Sequence, residues 1–203
     1  VIMENLHAFL QTPSVRAEVK QQEPLIYGRL FAYPTYQALP HLSNFFNLPV
    51  NNPFRRKFVS RFNGTKRLVY ASGGAGYIMN QQFASLFLES FDSEDTLRGE
   101  PDEDMAVAVN TLFRGVTPRA ARDGHGLQLF HPELPPVMYN LPEQTSAWLL
   151  DNHKDLGGIL PGPDCCSPYS ISFHHAMPVV MRYMNYRVYH CPKNWSKPTI
   201  PQD

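Results

Sequence analysis

Asp102, Glu103 and Asp104 place three carboxyl groups in consecutive positions after Pro101, directly ahead of the apolar-periodic run MAVAVNTLF. Asp102 and Asp104 form a literal Asp-x-Asp, the pair of hard oxygens that a divalent cation bound to a nucleotide diphosphate requires. A single carboxylate held at a helix N-terminus beside a pocket could instead take the proton of an attacking hydroxyl, as inverting sugar transfer demands. The same residues also suit a helix start without chemistry, since Pro and acidic side chains belong in a first turn.

Upstream, Gly73-Gly74-Ala75-Gly76 follows the apolar run RLVYA. Its spacing matches neither a P-loop nor a dinucleotide fingerprint, and no Lys-Ser/Thr follows to meet a phosphate. The glycines serve either a tight turn or the close approach of a ligand to the backbone. Downstream, His131 stands in Phe130-His131-Pro132 at the end of a short apolar run. A neutral imidazole there could bind Mn²⁺, which accepts nitrogen and oxygen ligands; the alternative is a hydrogen-bonded structural histidine. His174 and His175 follow another short strand, and only one of two neighbours on a strand can face inward. Hydrolase elbows and zinc-protease motifs are absent.

The elements that must position these groups alternate between types. Ile2, Leu6, Phe9 and Leu10 share a helical face that Pro13 terminates, and PLIYGRLFAY (24–33) reads as one strand. Residues 34–62, crowded with prolines and asparagines, read as a long loop or insertion. Phe83, Leu86, Phe87 and Phe91 keep helical spacing from an Asn80 cap. Met105, Ala108, Val109, Leu112 and Phe113 do so after the acidic trio, and Gly115 closes that helix. LQLFHPELP and SISFHHA supply strands, and 178–190 a final helix or mixed segment. The expected class is α/β.

With 203 residues, the chain is long enough for one sizeable domain. Its 18 basic and 18 acidic residues cancel, which removes the broad positive field that nucleic-acid binding needs. No run approaches the ~20 apolar residues of a membrane-spanning helix. The three cysteines, Cys165, Cys166 and Cys191, fit no zinc ribbon or CxxC pair. Adjacent Cys165 and Cys166 are expected to seek distant partners, because a bond between neighbours is strained. The sequons at Asn63 and Asn194 point toward a secretory compartment.

The order of the motifs carries more than any one of them. YASGGAGYIMNQQFASLFL, then DEDMAVAV, then LFHPELP, then GPDCCSPYSISFHH resembles the family-31 inverting glycosyltransferases, nearest to the core 1 β1,3-galactosyltransferase branch with the Fringe group as a cousin. The resemblance spans nearly the whole chain outside 34–62. It implies a GT-A fold of which residues 1–203 are a single partial domain, the C-terminal part, with the family's Asp-Asp-Asp metal motif and a membrane anchor expected upstream of Val1. It implies transfer of galactose from UDP-galactose to a glycoprotein or glycan hydroxyl in β1,3 linkage, with Mn²⁺ as cofactor, in the Golgi or ER lumen. By this resemblance Gly73, Gly74, Ala75, Gly76 and Tyr77 form the loop beside the sugars, Glu103-Asp104 is the acidic pair of the catalytic site with Asp104 as its base, and His131 completes the Mn²⁺ shell. Asp102-x-Asp104 is then not the metal motif. Trp148 falls in the region that shapes the acceptor site. The chain departs from the family pattern at Ala108, where glycine is usual, and in lacking a pair of cysteines that flank the acidic motif. The rival readings are a non-catalytic secretory chaperone or sugar-binding homologue, and a Fringe-type UDP-GlcNAc transferase.

Overall fold

The computed structural model describes residues 1–34, 67–90, 103–140, 147–153 and 162–190, with positions 49, 51–53, 56, 156 and 158–160 between them. Asp102, Cys191, both sequons and nearly all of the 34–62 segment lie outside the described residues.

Two short helices open the chain, α1 (Met3–Leu10) and α2 (Pro13–Lys20). Pro13 separates them: it cannot continue α1, and its fixed φ suits the first turn of α2. The Ile2 amide donates to the Ile171 carbonyl at 2.8 Å and Asn5 Nδ2 to the Ser170 carbonyl at 2.8 Å. These bonds tie the start of α1 to a segment about 165 positions away in sequence.

The run expected as one strand over 24–33 is two. Strand β1 (Ile26–Gly28) and β2 (Leu30–Pro34) are separated by Arg29. They serve different sheets: β2 pairs antiparallel with β3 (Arg67–Ala71), whereas β1 pairs antiparallel with β4 (Tyr77–Met79) and parallel with β5 (Arg119–Ala120). The switch is possible because Gly28 has no side chain; a Cβ there would sit 3.1 Å from the Cβ atoms of both Ala71 and Tyr77. Composition marks strand, but it carries no sign of a change of partner. A third pair, β6 (Phe130–His131) with β7 (Ser172–Phe173), is parallel.

Helix α3 (Gln81–Ser90) begins as the sequence predicts, with Asn80 Oδ1 accepting the Phe83 amide at 2.9 Å. The same oxygen accepts the Leu25 amide, and Nδ2 donates to the Glu23 carbonyl, so one cap also fixes the entry to β1. Helix α4 (Glu103–Arg114) follows, with Gly115 just past its end at φ +71°. Then come α5 (Pro135–Tyr139), α6 (Ala147–His153), a 3₁₀ turn (Gly162–Cys165) and α7 (Pro178–Tyr189). The protein is a mixed α/β structure, as composition and periodicity suggest.

One buried cluster joins Phe9, Tyr27, Leu129, Phe130 and Ile171, packing α1 and α2 against the strands; a second joins Ile26, Ala71, Phe83 and Val107 beneath α3 and α4. The loop between β3 and β4 lies where the two meet, with Ala75 in the first cluster and Ala71 in the second.

Cys165 and Cys166 bond to each other, contrary to the expectation of distant partners. A 3₁₀ turn ends at Cys165, and Met138 and Ile159 pack against the pair. Among the described residues no helix is long and apolar enough to cross a membrane.

Candidate active site

The glycine cluster connects β3 to β4 through a turn closed by the Gly76 amide donating to the Gly73 carbonyl at 2.9 Å, with Gly76 at φ +84°. A left-handed φ of this kind is open to glycine at little cost. Three groups from distant parts of the chain grip the loop. Asp104 Oδ2, in the first turn of α4, accepts the Gly73 amide at 2.9 Å. Ser172 Oγ, on β7, donates to the Ala75 carbonyl. The His174 imidazole lies over Gly74, so closely that a Cβ there would be 2.6 Å from Cε1 and Nδ1. Gly73 is just as constrained: a Cβ would stand 3.1 Å from Asp104 Cβ and from Glu103 Oε2. The glycines therefore serve close approach as well as a turn.

Asp104 and Glu103 occupy the N-terminus of α4, where the helix dipole favours negative charge. Partial desolvation of the Glu103 carboxyl beside the loop and the neighbouring Asp104 charge, in that order, raise its pKa above the ordinary value. The Glu103 carboxyl therefore gives up its proton less readily than an isolated one, beside a carboxylate anchored to the loop. Tyr77 opens β4, with its ring partly buried in the cluster around Ile26 and Phe83.

Alternation along β6 and β7 divides the remaining groups. Phe130, Ser172 and His174 face the loop: Phe130 and Ser172 lie 3.7 and 3.5 Å from where a Gly76 Cβ would be. His131 stacks on Phe173 instead, with ring centroids 4.7 Å apart. His131 is fully buried; burial, then the positive charge of Arg29, push its pKa down to about 3, so the ring is neutral. Its Nε2 meets Ser170 Oγ at 2.8 Å, and its buried Nδ1 has no hydrogen-bond partner among the described residues.

Arg29, at the break between β1 and β2, is itself buried, and its Nε donates to His153 Nε2 at 2.9 Å. The other His153 nitrogen faces the Leu149 carbonyl at 2.7 Å, which makes Nδ1 the protonated atom and Nε2 the acceptor. Burial and the charge of Arg122 lower the Arg29 pKa to about 9, and burial with Arg29 lowers that of His153 to about 3.

The structure brings together Asp104, Glu103 and the Gly73–Gly76 loop, and sets His131 on the opposite face of the β6–β7 pair. His174, to which the sequence assigned no role, touches the loop and also lines a cavity of about 350 Å³ with Ile171, Met181 and Met184. Its only signal was alternation, which allowed one histidine of the pair to face inward. His175 adopts φ +55°, and its ring stacks on His174 with centroids 3.7 Å apart. Arg29 carried no motif at all.

No protein-family model matches the chain. It is 32% identical over 136 residues to glycoprotein-N-acetylgalactosamine 3-beta-galactosyltransferase 1 of Xenopus laevis. The match covers 66% of this chain and 37% of that relative, so the chain spans well under half the length of the protein it matches. It bears out the resemblance read from the motifs.

Proposed function

From a chain related to a core 1 β1,3-galactosyltransferase, we propose the C-terminal part of a GT-A catalytic domain that transfers galactose from UDP-galactose to a hydroxyl of an N-acetylgalactosamine-bearing glycoprotein. The new bond is β1,3 and the donor's anomeric configuration inverts.

The bond from the Gly73 amide to Asp104 Oδ2 carries this reading, because it fixes a carboxylate against a loop on which bulk is excluded. With Oδ2 held, the second carboxylate oxygen is the atom that meets the acceptor hydroxyl. Asp104 accepts that proton as the oxygen attacks the anomeric carbon. Glu103, whose Oε2 lies beside Gly73, accepts a hydrogen bond from a sugar hydroxyl at the edge of the loop. His174 walls the sugars on the side of Gly74.

His131 fits one position in a Mn²⁺ shell: it is neutral, rigidly packed, and carries a buried nitrogen that lacks a partner among the described residues. The nearby Arg29 charge opposes a dication as it opposes a proton, so carboxylates are needed to offset it; no group of three His, Cys, Asp or Glu stands together among the described residues. Bound Mn²⁺ would neutralise the departing UDP diphosphate. An inverting displacement puts attacking and departing oxygens on opposite sides of the anomeric carbon, which accords with Asp104 and His131 lying on different faces of the β6–β7 pair. The Cys165–Cys166 bond suits the oxidising Golgi or ER lumen.

The test is product analysis with the full-length protein, UDP-galactose and an α-N-acetylgalactosaminyl glycopeptide. The expected product carries β1,3-linked galactose. Preference for UDP-N-acetylglucosamine would favour the Fringe-type reading, and no transfer from either donor would favour a binding protein.

A further inference from the structure

The Ser170 hydroxyl has two close neighbours and one proton. Its Oγ lies 2.5 Å from the Ser167 carbonyl oxygen and 2.8 Å from His131 Nε2. A carbonyl can only accept, so the Ser170 proton goes to Ser167. Were His131 Nε2 unprotonated, two lone pairs would face each other across one of these contacts. The proton of the second contact therefore comes from the imidazole: His131 Nε2–H donates to Ser170 Oγ. In a neutral ring this leaves Nδ1 with the lone pair, and Nδ1 is the atom that is buried without a hydrogen-bond partner among the described residues.

The carbonyl that decides this is itself fixed. The Ser167 amide donates to the Gln128 carbonyl at 3.1 Å, and Ser167 Oγ donates to Asp123 Oδ2 at 2.6 Å. Asp123 Oδ1 in turn accepts the His125 and Leu127 amides, each at 2.9 Å. Ser170 cannot turn its proton toward His131 without breaking the bond to Ser167. Phe173 stacks on the ring and opposes its rotation.

We infer that Ser170 is a positioning residue: it sets the His131 tautomer so that Nδ1, not Nε2, is the nitrogen offered to a divalent cation. A hydrogen bond at the far nitrogen fixes ring orientation and raises the basicity of the ligating one, and loss of such a partner costs 10–100-fold in metal affinity as an order of magnitude. The inference rests on the proposed Mn²⁺ role of His131, but its first readout needs neither metal nor activity.

In the metal-free full-length protein, nitrogen-15 NMR of the imidazoles should show His131 protonated on Nε2 alone. A proton on Nδ1 in the wild type would overturn the assignment. Ser170→Ala should abolish the single-tautomer signature and weaken MnCl₂ binding, measured calorimetrically with UDP present, by about 10-fold; Ser170→Thr should restore both. Unchanged affinity in Ser170→Ala, or MnCl₂ that binds without broadening the His131 resonances, would also overturn it. A protein that passes these tests but transfers no galactose would refute the transferase reading and leave this one standing.

Discussion

Asp104 Oδ2 accepts the amide proton of Gly73 at 2.9 Å, linking the first turn of a helix to a loop 31 positions earlier in the chain. This contact turns two separate sequence signals, an acidic cap and a glycine cluster, into one site. It also makes the loop sensitive to changes that a simple turn would absorb.

Gly74→Ala should perturb the loop through His174, because the new methyl would collide with the ring. Because Gly74 is exposed and the ring is the outer end of a half-buried side chain, the cost stays at the low end for overpacking, about 1 kcal/mol. The cost should shrink in a His174→Ala background, where the ring is gone. Chemical denaturation of both single mutants and the double mutant measures the coupling; strictly additive losses would count against the contact.

Asn80→Ala should lower stability by about 1 kcal/mol from loss of the cap alone, and by more because the same side chain holds Leu25 and Glu23. Asn80→Asp keeps the acceptor and loses only the bond to Glu23, so it should recover most of the difference. A melting curve for each variant decides this.

His131 and His153 are both pushed down to about 3, against an ordinary value of 6.5. Between these values the unfolded chain binds protons that the native protein excludes, so stability falls as pH drops from 6.5 toward 3. The slope is ~1.4 kcal/mol per pH unit for each histidine. Denaturation across this range should show it, and His131→Asn should flatten the slope by one proton whatever its effect on absolute stability. An unaltered slope would refute the burial account of His131.

Glu103 is shifted the other way. Its raised pKa means that the protonated carboxyl is the form the folded state prefers, a contribution present at low pH and lost as pH rises through the folded value. Glu103→Gln should therefore be neutral or stabilising at pH 7, and its difference from the wild type should close as the medium is acidified below the ordinary value of 4.5. Paired melts at acid and neutral pH test the sign.

Residues whose role depends on local spacing were legible in the sequence. Asn80 caps α3, Gly115 ends α4, and Glu103 and Asp104 occupy a helix N-terminus, because caps and dipoles act within one turn. Arg29 was not legible: its burial follows from a change of strand partners, and partner choice is set by contacts remote in sequence. The Cys165–Cys166 bond was misjudged because the sequence reading weighed only the strain of joining neighbours. His174 needed the register of β7 before its side could be assigned; Ser170 needed the hydrogen-bond network around Ser167.

The central claim is that Asp104 takes the acceptor's proton. Asp104→Asn preserves shape and removes the base, so in the full-length protein it should abolish transfer from UDP-galactose while binding of UDP with Mn²⁺ survives. Wild-type transfer by Asp104→Asn would contradict the account.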